Sequence, residues 1–223
     1  MNFFGRGVMA TTGARLTLPT ANLLAAYDAR SGVTNVSGAC SAWADQSGNG
    51  WHASQGTAGS RPTITTTGGF ASLQFDGTAD FLSVPSITAS AGTKTIYCVQ
   101  STTTGAGYKT LFDAGAGRLL VGVLNTGTYG LFDSTNRDSG ITQATGLSRL
   151  TFTCGGGASR VWRGGVAGTA TAWGADSPIG GPTRIGSGHA GSLFFSGHIL
   201  AMFVYTAARN TAVEDYITQE WGV

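Results

Sequence analysis

Charge is scarce in this chain of 223 residues, since Lys, Arg, Asp and Glu together make up 11% of it, against about 25% in an average globular domain. Only two residues are glutamates, Glu214 and Glu220, and both stand near the C-terminus. The aspartates occur mostly in contexts typical of turns. Hydrolysis of a glycosidic bond needs two carboxylates that face one cleft, and the sequence indicates no such pair. We therefore expect a protein that is not an enzyme.

Other sequence signals of catalysis are missing as well. There is no Gly-x-Ser-x-Gly elbow, no phosphate-binding Gly-x-x-x-x-Gly-Lys motif and no His/Cys spacing that suits zinc. The three histidines stand apart in sequence, and we expect them in turns or strands. Cys40, Cys98 and Cys154 form no Cys-x-x-Cys pair, so we expect small buried residues and no disulfide framework.

Long apolar runs and clusters of basic residues are also absent. No window approaches the roughly 18 apolar residues of a membrane span, so we expect no membrane insertion. Lys and Arg are scattered singly, so we expect no nucleic-acid partner. The N-terminus has neither the basic nor the apolar region of a secretory signal. We expect a chain that is made in the cytoplasm without a signal peptide.

Glycine is abundant, with 36 residues, and threonine is frequent too. Short apolar stretches recur between clusters of Gly, Asn and Asp, at the spacing typical of a β-sandwich. Strands are predicted for 23–28, 73–75, 81–84, 95–100, 110–112, 119–124, 129–132, 150–154, 160–163, around 185 and 193–205. A helix is predicted for Thr206–Trp221, with Thr206 or Thr211 as its N-cap and Gly222 at its end. Its apolar face would consist of Val213, Tyr216, Ile217 and Trp221.

The chain is predicted to contain one domain, residues 21–223, preceded by an extended N-terminal arm, residues 1–20. Small and polar residues dominate the arm. Phe3, Phe4 and Arg6 are the candidate attachment residues, because an extended segment can add a strand to the edge of a neighbouring sheet. A frayed terminus is the alternative interpretation.

Three motifs, in this order, resemble one family of β-sandwich domains. Asp-Gln-Ser-Gly-Asn-Gly occupies 45–50, Leu-Gln-Phe-Asp-Gly-Thr-Ala-Asp-Phe occupies 73–81, and Ile-Gly at 185–186 precedes Phe-Ser-Gly-His-Ile at 195–199. Together they resemble the concanavalin A-like, laminin-G-like jelly-roll domains, over roughly residues 23–222. The resemblance implies an all-β, two-sheet jelly-roll sandwich with a short C-terminal helix. The chain departs from the family at 198–201, where family members often carry acidic residues.

The resemblance also implies a set of functions, because such domains occur in adhesins, in sugar-binding modules and in structural proteins of tailed phages. It looks most like the phage-borne kind, which implies a non-enzymatic structural or capsid-decoration protein on the head or tail surface. The sandwich would face outward, and the arm would attach to other virion proteins or to copies of the same chain. The location would be the virion surface. The alternative is a carbohydrate-binding, lectin-like adhesion module whose partners are cell-surface glycans.

Exposed aromatic rings would carry sugar binding, because a ring face packs against the C–H face of a pyranose. The candidates are Trp173, Trp162, Trp51, Tyr108 and Tyr129. Trp173 ranks first because the stretch around it resembles a loop, whereas Trp43 and Trp221 are expected in the core.

Calcium is the one cofactor that the sequence leaves open; otherwise no cofactor is expected. Asp45 and Asn49 in one turn, with Asp76 and Asp80 in another, would supply oxygen ligands if the two turns meet at the rim of the sandwich. The alternative is that these side chains cap their own turns, with Asp76-Gly77 forming a hairpin turn.

Overall fold

A computed structural model describes residues 15–85, 87–90, 92–103, 105, 107–115, 119–133, 135–172 and 181–223. The strands are β1 (Leu23–Asp28), β2 (Val33–Val36), β3 (Ala39–Trp43), β4 (Ala53–Ser54), β5 (Thr63–Thr67), β6 (Phe70–Asp76), β7 (Leu82–Val84), β8 (Lys94–Thr102), β9 (Lys109–Ala114), β10 (Leu119–Val123), β11 (Thr128–Phe132), β12 (Asn136–Thr142), β13 (Ser148–Gly155), β14 (Ala158–Arg163), β15 (Val166–Ala167), β16 (Thr171–Ala172), β17 (Thr183–Ile185) and β18 (Ser196–Tyr205). The helix α1 (Thr211–Trp221) follows, and a 3₁₀ turn spans Ala58–Ser60. None of the helices in the described residues is long and apolar enough to cross a membrane.

The strands form two antiparallel layers. The front sheet runs in the order β2, β3, β4, β7, β17, β9, β10, β11 and β12. The back sheet runs in the order β5, β6, β18, β8, β13 and β14, with β1 beside β18 and with β15 and β16 beside β14. A pairing of Ala39 with Thr63 joins the layers at one edge. The prediction of an all-β, two-sheet sandwich with a short C-terminal helix is confirmed.

The main core lies between the two sheets. Alternate residues of each strand point into it because successive side chains of a strand lie on opposite faces. The front sheet contributes one row of cross-strand partners: Leu82, Ile185, Phe112, Val121 and Leu131. The back sheet contributes Leu73, Phe75, Ile96, Cys98, Leu150, Phe152, Met202 and Val204. The three cysteines are buried, as the sequence predicted.

A second apolar cluster lies on the outer face of the back sheet, where α1 covers it. Val213, Ile217 and Trp221 of the helix pack on a surface that includes Tyr97 and Phe203. The predicted apolar face of the helix is therefore confirmed. Gly222 ends the helix in the left-handed conformation, with φ 72°, also as predicted.

The start of the helix differs from the prediction. The helix begins at Thr211, and Asn210 caps it by accepting a hydrogen bond from the Ala212 amide. Thr206 instead follows directly after β18 and donates its backbone amide to the Asn22 carbonyl. An asparagine is as good an N-cap as a threonine, so the local sequence offered several starts, and packing selected one of them.

Two glycines of the third motif are explained by close packing. A Cβ atom on Gly186, where φ is +86°, would lie 2.2 Å from the Phe75 ring. A Cβ atom on Gly197, where φ is +147°, would lie 2.2 Å from the Ser101 carbonyl oxygen. Since neither position has room for a side chain, the two glycines allow the backbone after β17 to lie against Phe75 and the start of β18 to lie against Ser101.

Candidate functional site

The outer face of the front sheet carries a row of side chains that do not belong to the core. The row consists of residues that lie opposite one another in the strand register, across β17, β9, β10, β11 and β12. Arg184 lies opposite Asp113, Asp113 opposite Leu120, Leu120 opposite Phe132, and Phe132 opposite Asn136. Cross-strand partners lie on the same face of a sheet, and the intervening residues point into the core. The row therefore faces away from the sandwich interior.

A pocket of about 240 Å³ opens on this face, lined by Tyr108, Leu120, Phe132 and Leu193. We call it the Tyr108 groove. Tyr108 and Phe132 are both half-buried, so their rings are held by packing and still reach the surface. The Tyr108 hydroxyl accepts a hydrogen bond of 2.7 Å from Asn136 Nδ2. Because that oxygen is used as an acceptor, its own proton is free to be donated to a ligand.

The loop between β17 and β18 forms one wall of the groove. Its tip is closed by a hydrogen bond from the Gly188 amide to the Ser192 carbonyl. The Thr110 amide of β9 donates to the Leu193 carbonyl and so attaches the loop to the sheet. Leu193 has φ 58°, in the left-handed region that a leucine seldom occupies. Such a conformation costs of order 1 kcal/mol or more and is found where surrounding contacts enforce it, often at functional sites. Here it accompanies a side chain that lines the groove.

A carboxylate–histidine pair lies next to this wall. Asp113 has no exposed surface, and its Oδ2 accepts hydrogen bonds from the His189 backbone amide (2.8 Å) and from His189 Nδ1 (3.2 Å). A Cβ atom placed on Gly188 would be 3.7 Å from both Asp113 Oδ2 and Leu193 Cδ1. Together with the pairing of Asp113 and Leu120, this places the carboxylate beside two of the groove's apolar residues.

The other predicted sugar-binding rings are less available. Trp51 is half-buried against the core, and its Nε1 is buried without a partner in the described residues. Trp162 lines a separate depression of about 340 Å³, but Arg209 Cζ lies 4.9 Å from the centre of its ring. Tyr129 is buried and bonded to Gln100, so it offers no exposed face. Trp173 lies outside the described residues.

The turn that contains Asp45 and Asn49 uses its polar groups internally. The Asp45 carboxylate accepts hydrogen bonds from the backbone amides of Ala26, Ser47 and Trp51. Asn49 Nδ2 donates to the carbonyls of Leu23 and Leu24. This geometry is turn capping, the alternative interpretation of the motif. Among the described residues, no group of three or more His, Cys, Asp or Glu side chains is placed to hold a metal ion.

The second candidate turn contains two carboxylates in contrasting environments. Burial works to raise the pKa of Asp76, but hydrogen bonds from Thr78, Ala79 and Asp80 outweigh it and lower this pKa from 3.8 to about 2. Asp80 accepts one hydrogen bond, from the Asp76 amide. Burial and the nearby charge of Asp76 raise the pKa of Asp80 from 3.8 to about 6, and burial is the larger of the two causes. Calcium binding at these turns stays a prediction.

The predicted arm is described only in its last part, and Phe3, Phe4 and Arg6 lie outside the described residues. Residues 15–20 lie against the C-terminal helix and β18. Arg15 forms a salt bridge of 2.9 Å with Glu220, and the Pro19 carbonyl accepts a hydrogen bond from the Tyr205 hydroxyl.

Sequence reasoning found Tyr108 but missed its neighbours in the groove. Phe132 and Leu120 resemble any strand residue in sequence. Asp113 did carry a signal, because an acidic residue interrupts the apolar stretch Leu111–Ala114. No local pattern marks Leu193, which lines the groove, or His189, which bonds to Asp113; both are brought there because the loop folds back onto β9.

Comparison with known proteins shows similarity in structure alone. No protein-family model matches the chain, and no curated protein matches it in sequence. Domain 4 of AbnA, a GH43 extracellular arabinanase from Geobacillus stearothermophilus solved in complex with arabinotriose, is 16% identical with a TM-score of 0.60. That match covers 87% of this chain and 98% of the domain.

Two further structures are similar over most of this chain. Trypanosoma rangeli sialidase in complex with sialic acid is 16% identical with a TM-score of 0.61, and the match covers 91% of this chain but 34% of the sialidase. The binding domain of Paraclostridial Mosquitocidal Protein 1 is 10% identical with a TM-score of 0.59. The match covers 88% of this chain and 52% of that domain. At these identities the comparisons show a shared fold.

These comparisons correct the expectation that the chain is not an enzyme. Two of the structures named above are a sialidase and a domain of an arabinanase, so the fold is one that occurs in carbohydrate-processing enzymes. The scarcity of glutamate was too weak a reason to exclude catalysis, because it ignored what this fold accompanies in longer proteins. This chain spans about a third of the sialidase.

Proposed function

We propose that this chain is a carbohydrate-binding domain that holds a saccharide in the Tyr108 groove. The observation that carries the proposal is the groove itself, an open pocket with two aromatic rings and two leucines on a sheet face. Sugar sites combine such apolar surface with a few polar groups that fix orientation. The free proton of the Tyr108 hydroxyl is a group of that kind.

The similarity to an arabinanase domain in complex with arabinotriose supports this choice, because the match spans nearly all of that domain. The Tyr108 ring and Phe132 would pack against the C–H faces of a sugar ring. Leu120 and Leu193 would exclude water from the same surface. Burial of apolar area would supply the free energy of binding, while the polar rim would select among hydroxyl arrangements.

The test is a glycan array probed with the whole chain, followed by calorimetric titration of the best ligand. Arabinotriose is included as a defined neutral probe. Tyr108→Ala is expected to weaken binding at least tenfold, equal to about 1.4 kcal/mol. Trp162→Ala is the matched control, because its ring is covered by Arg209 and lies on the back sheet. Absence of binding to every glycan, or equal losses in both variants, would overturn the proposal.

Each titration should be repeated after long incubation with the bound oligosaccharide, to detect cleavage products. Structures similar to this chain belong to enzymes that act on saccharides, so hydrolysis is a measurable outcome alongside binding. Titrations with added calcium and with a chelator test the calcium prediction directly. A change in affinity that Asp76→Asn abolishes would place the ion at the second turn.

The prediction of a phage-particle surface protein rests on the motif resemblance, and none of the structures named above is a phage protein. It has its own test, which is co-sedimentation of the chain with large particles in a density gradient. A deletion should remove residues 1–14 only, because Arg15 and Pro19 contact the sandwich. Loss of sedimentation with the fold intact would support attachment through the arm. Normal sedimentation of the deleted chain would contradict it.

A further inference from the structure

The polar and apolar parts of the Tyr108 groove lie at opposite ends. The Tyr108 hydroxyl is bonded to Asn136, an exposed residue of β12, so the hydrogen-bonding groups stand at the β12 end. The Leu193 carbonyl accepts a hydrogen bond from the Thr110 amide of β9, so the leucine wall stands at the β9 end. The strands β10 and β11 lie between these two, and neighbouring strands are about 4.8 Å apart. The groove is therefore amphipathic across the sheet.

The leucine end presents apolar side chains to a ligand. Among the described residues that line the groove, Tyr108 carries the one polar side-chain group, and the others are Leu120, Phe132 and Leu193. Asp113 lies opposite Leu120 in the register but has no exposed surface. A ligand hydroxyl at this end would give up its hydrogen bonds to water without a side-chain partner in return, which costs free energy. A methyl group in the same place gains free energy from burial.

The size of the groove limits what can fill it. Its volume of about 240 Å³ lies below the roughly 300–1,000 Å³ of sites that take drug-sized ligands. Such a volume suits one sugar ring with a short substituent rather than a run of several sugar residues.

We infer that the Tyr108 groove binds a 6-deoxyhexose, a sugar whose ring carries a methyl group in place of the usual hydroxymethyl group. The methyl group packs against Leu120 and Leu193, and the ring hydroxyls face Tyr108 and Asn136. The inference rests on the proposed function and adds the class of sugar.

An N-acetyl group also carries a methyl group but fits the leucine end less well. Its amide places one hydrogen-bond donor and one acceptor directly beside the methyl group. Both would lie at the apolar end of the groove, where burial without a partner is costly. The methyl group of a 6-deoxyhexose is attached to a ring carbon and brings no polar atom with it.

The first measurement compares sugars that differ by one hydroxyl group, using the whole chain. L-fucose and L-galactose, L-rhamnose and L-mannose, and D-quinovose and D-glucose form three such pairs, and the first member of each has the methyl group. Titration followed by NMR of the protein detects weak binding of single sugars. In the pair that binds most tightly, we expect the 6-deoxy sugar to bind at least about fivefold more tightly than its counterpart.

The second measurement locates the methyl group without any variant. In saturation-transfer NMR of the wild-type chain, irradiation of the leucine methyl resonances should transfer magnetisation most strongly to the methyl protons of the bound 6-deoxy sugar. Strongest transfer to the ring protons would overturn the inference.

Leu193→Asn tests the apolar wall itself. Asparagine adopts the left-handed backbone conformation of this position more readily than leucine does, so the loop should keep its shape. Its amide can bond the extra hydroxyl of the hydroxylated sugar, so the preference should fall to about twofold or less. Tyr108→Phe acts at the other end and should weaken both members of a pair by a similar factor. Val166→Asn changes an exposed residue of β15 on the back sheet and is the control.

The possible outcomes separate this inference from the proposed function. A preference for the 6-deoxy sugar that Leu193→Asn removes and Val166→Asn retains supports the inference. If hydroxylated sugars or N-acetyl-D-glucosamine bind equally well or better, or if the preference survives Leu193→Asn, the inference fails. Loss of binding of any other glycan in Tyr108→Ala would then still support the proposed function. If no glycan binds, both fail.

Discussion

The outer faces of the two sheets each carry a buried carboxylate, and the two carboxylates differ in the number and charge of their partners. On the back sheet, Glu214 accepts hydrogen bonds from Thr151 Oγ1 at 2.9 Å and Arg209 Nε at 2.8 Å, and it lies 3.8 Å from Arg149. Arg149 also binds the carbonyls of Glu214 and Val223 and so fastens the end of the chain. On the front sheet, Asp113 has His189 as its partner, and its Oδ1 has no hydrogen-bond partner in the part of the chain that the structure describes.

The difference separates a carboxylate whose partners tie the helix to the sheet from a carboxylate that lies beside the candidate site. A helix covers the back face, and its Glu214 has two arginines and a threonine hydroxyl around it, although Arg149 Nε is also buried without a hydrogen-bond partner among the described residues. The front face stays open at the Tyr108 groove, and a loop with a strained leucine covers the carboxylate beside it. Evolution tolerates poor satisfaction where a ligand or a reaction gains from it.

The sharpest test of this comparison is a pair of isosteric substitutions. Glu214→Gln should lower the free energy of unfolding by about 3 kcal/mol, because two arginines lose their buried counter-charge. Asp113→Asn should change it by less than about 1 kcal/mol, since no arginine or lysine among the described residues forms a salt bridge with Asp113. Urea denaturation measures both. Asp215→Asn, on the exposed side of the same helix, is the control and should be neutral. Equal losses at 113 and 214 would break the comparison.

The second test compares two carboxylates of one turn, Asp80 and Asp76. Asp80 is buried with one donor, and its pKa is raised to about 6. In the folded protein Asp80 therefore stays protonated to a higher pH than in the unfolded chain. The contribution of Asp80 to the free energy of unfolding is present below pH 4 and is lost as the pH rises from about 4 to about 6. Asp80→Asn should raise the free energy of unfolding at pH 7 by about 2 kcal/mol. Thermal melting between pH 3 and 8 measures the change, and an unaltered profile would contradict it.

Asp76 should show the opposite sign in the same experiment. Its pKa is lowered to about 2, so its stabilising effect is present above pH 4 and disappears as the pH falls toward 2. Asp76→Asn should lower stability at pH 7 by about 1 kcal/mol, discounted because the side chain is exposed. At pH 2 the variant and the wild type should melt together. A loss that persists at pH 2 would mean that shape, rather than charge, is responsible.

The smallest expected effect concerns the polar edge of the groove. Tyr108→Phe removes the hydroxyl and keeps the ring, so affinity for the best glycan should fall about fivefold, with the melting temperature nearly unchanged. Phe132→Leu keeps apolar bulk and removes the second ring, and it should cost a similar factor. Calorimetric titration measures both. If neither variant changes affinity, the ligand does not contact the groove.

The fold was predictable where residues report on their own surroundings. Alternating stretches marked most core strands, and the terminal helix was visible from its apolar face and from Gly222. The strands β2, β3, β4, β5, β12, β15 and β16 were missed because their residues are polar, small or few, as in Asn136–Thr142. Such strands form because a neighbouring strand has backbone groups along its edge that can accept and donate hydrogen bonds. The sequence of the missed strand does not show that such a neighbour is present.

The sequence by itself determined the fold class, the turn motifs and the C-terminal helix, because hydrophobic periodicity and turn chemistry act over a few residues. Only the tertiary structure decided where the candidate site lies. Asp113 and His189 are 76 residues apart in the chain, and Tyr108 and Asn136 are 28 apart. Register between strands brings each pair together, and it also decides that α1 covers one sheet face while the Tyr108 groove stays open on the other. Register depends on pairing over the whole sheet, which no local segment encodes.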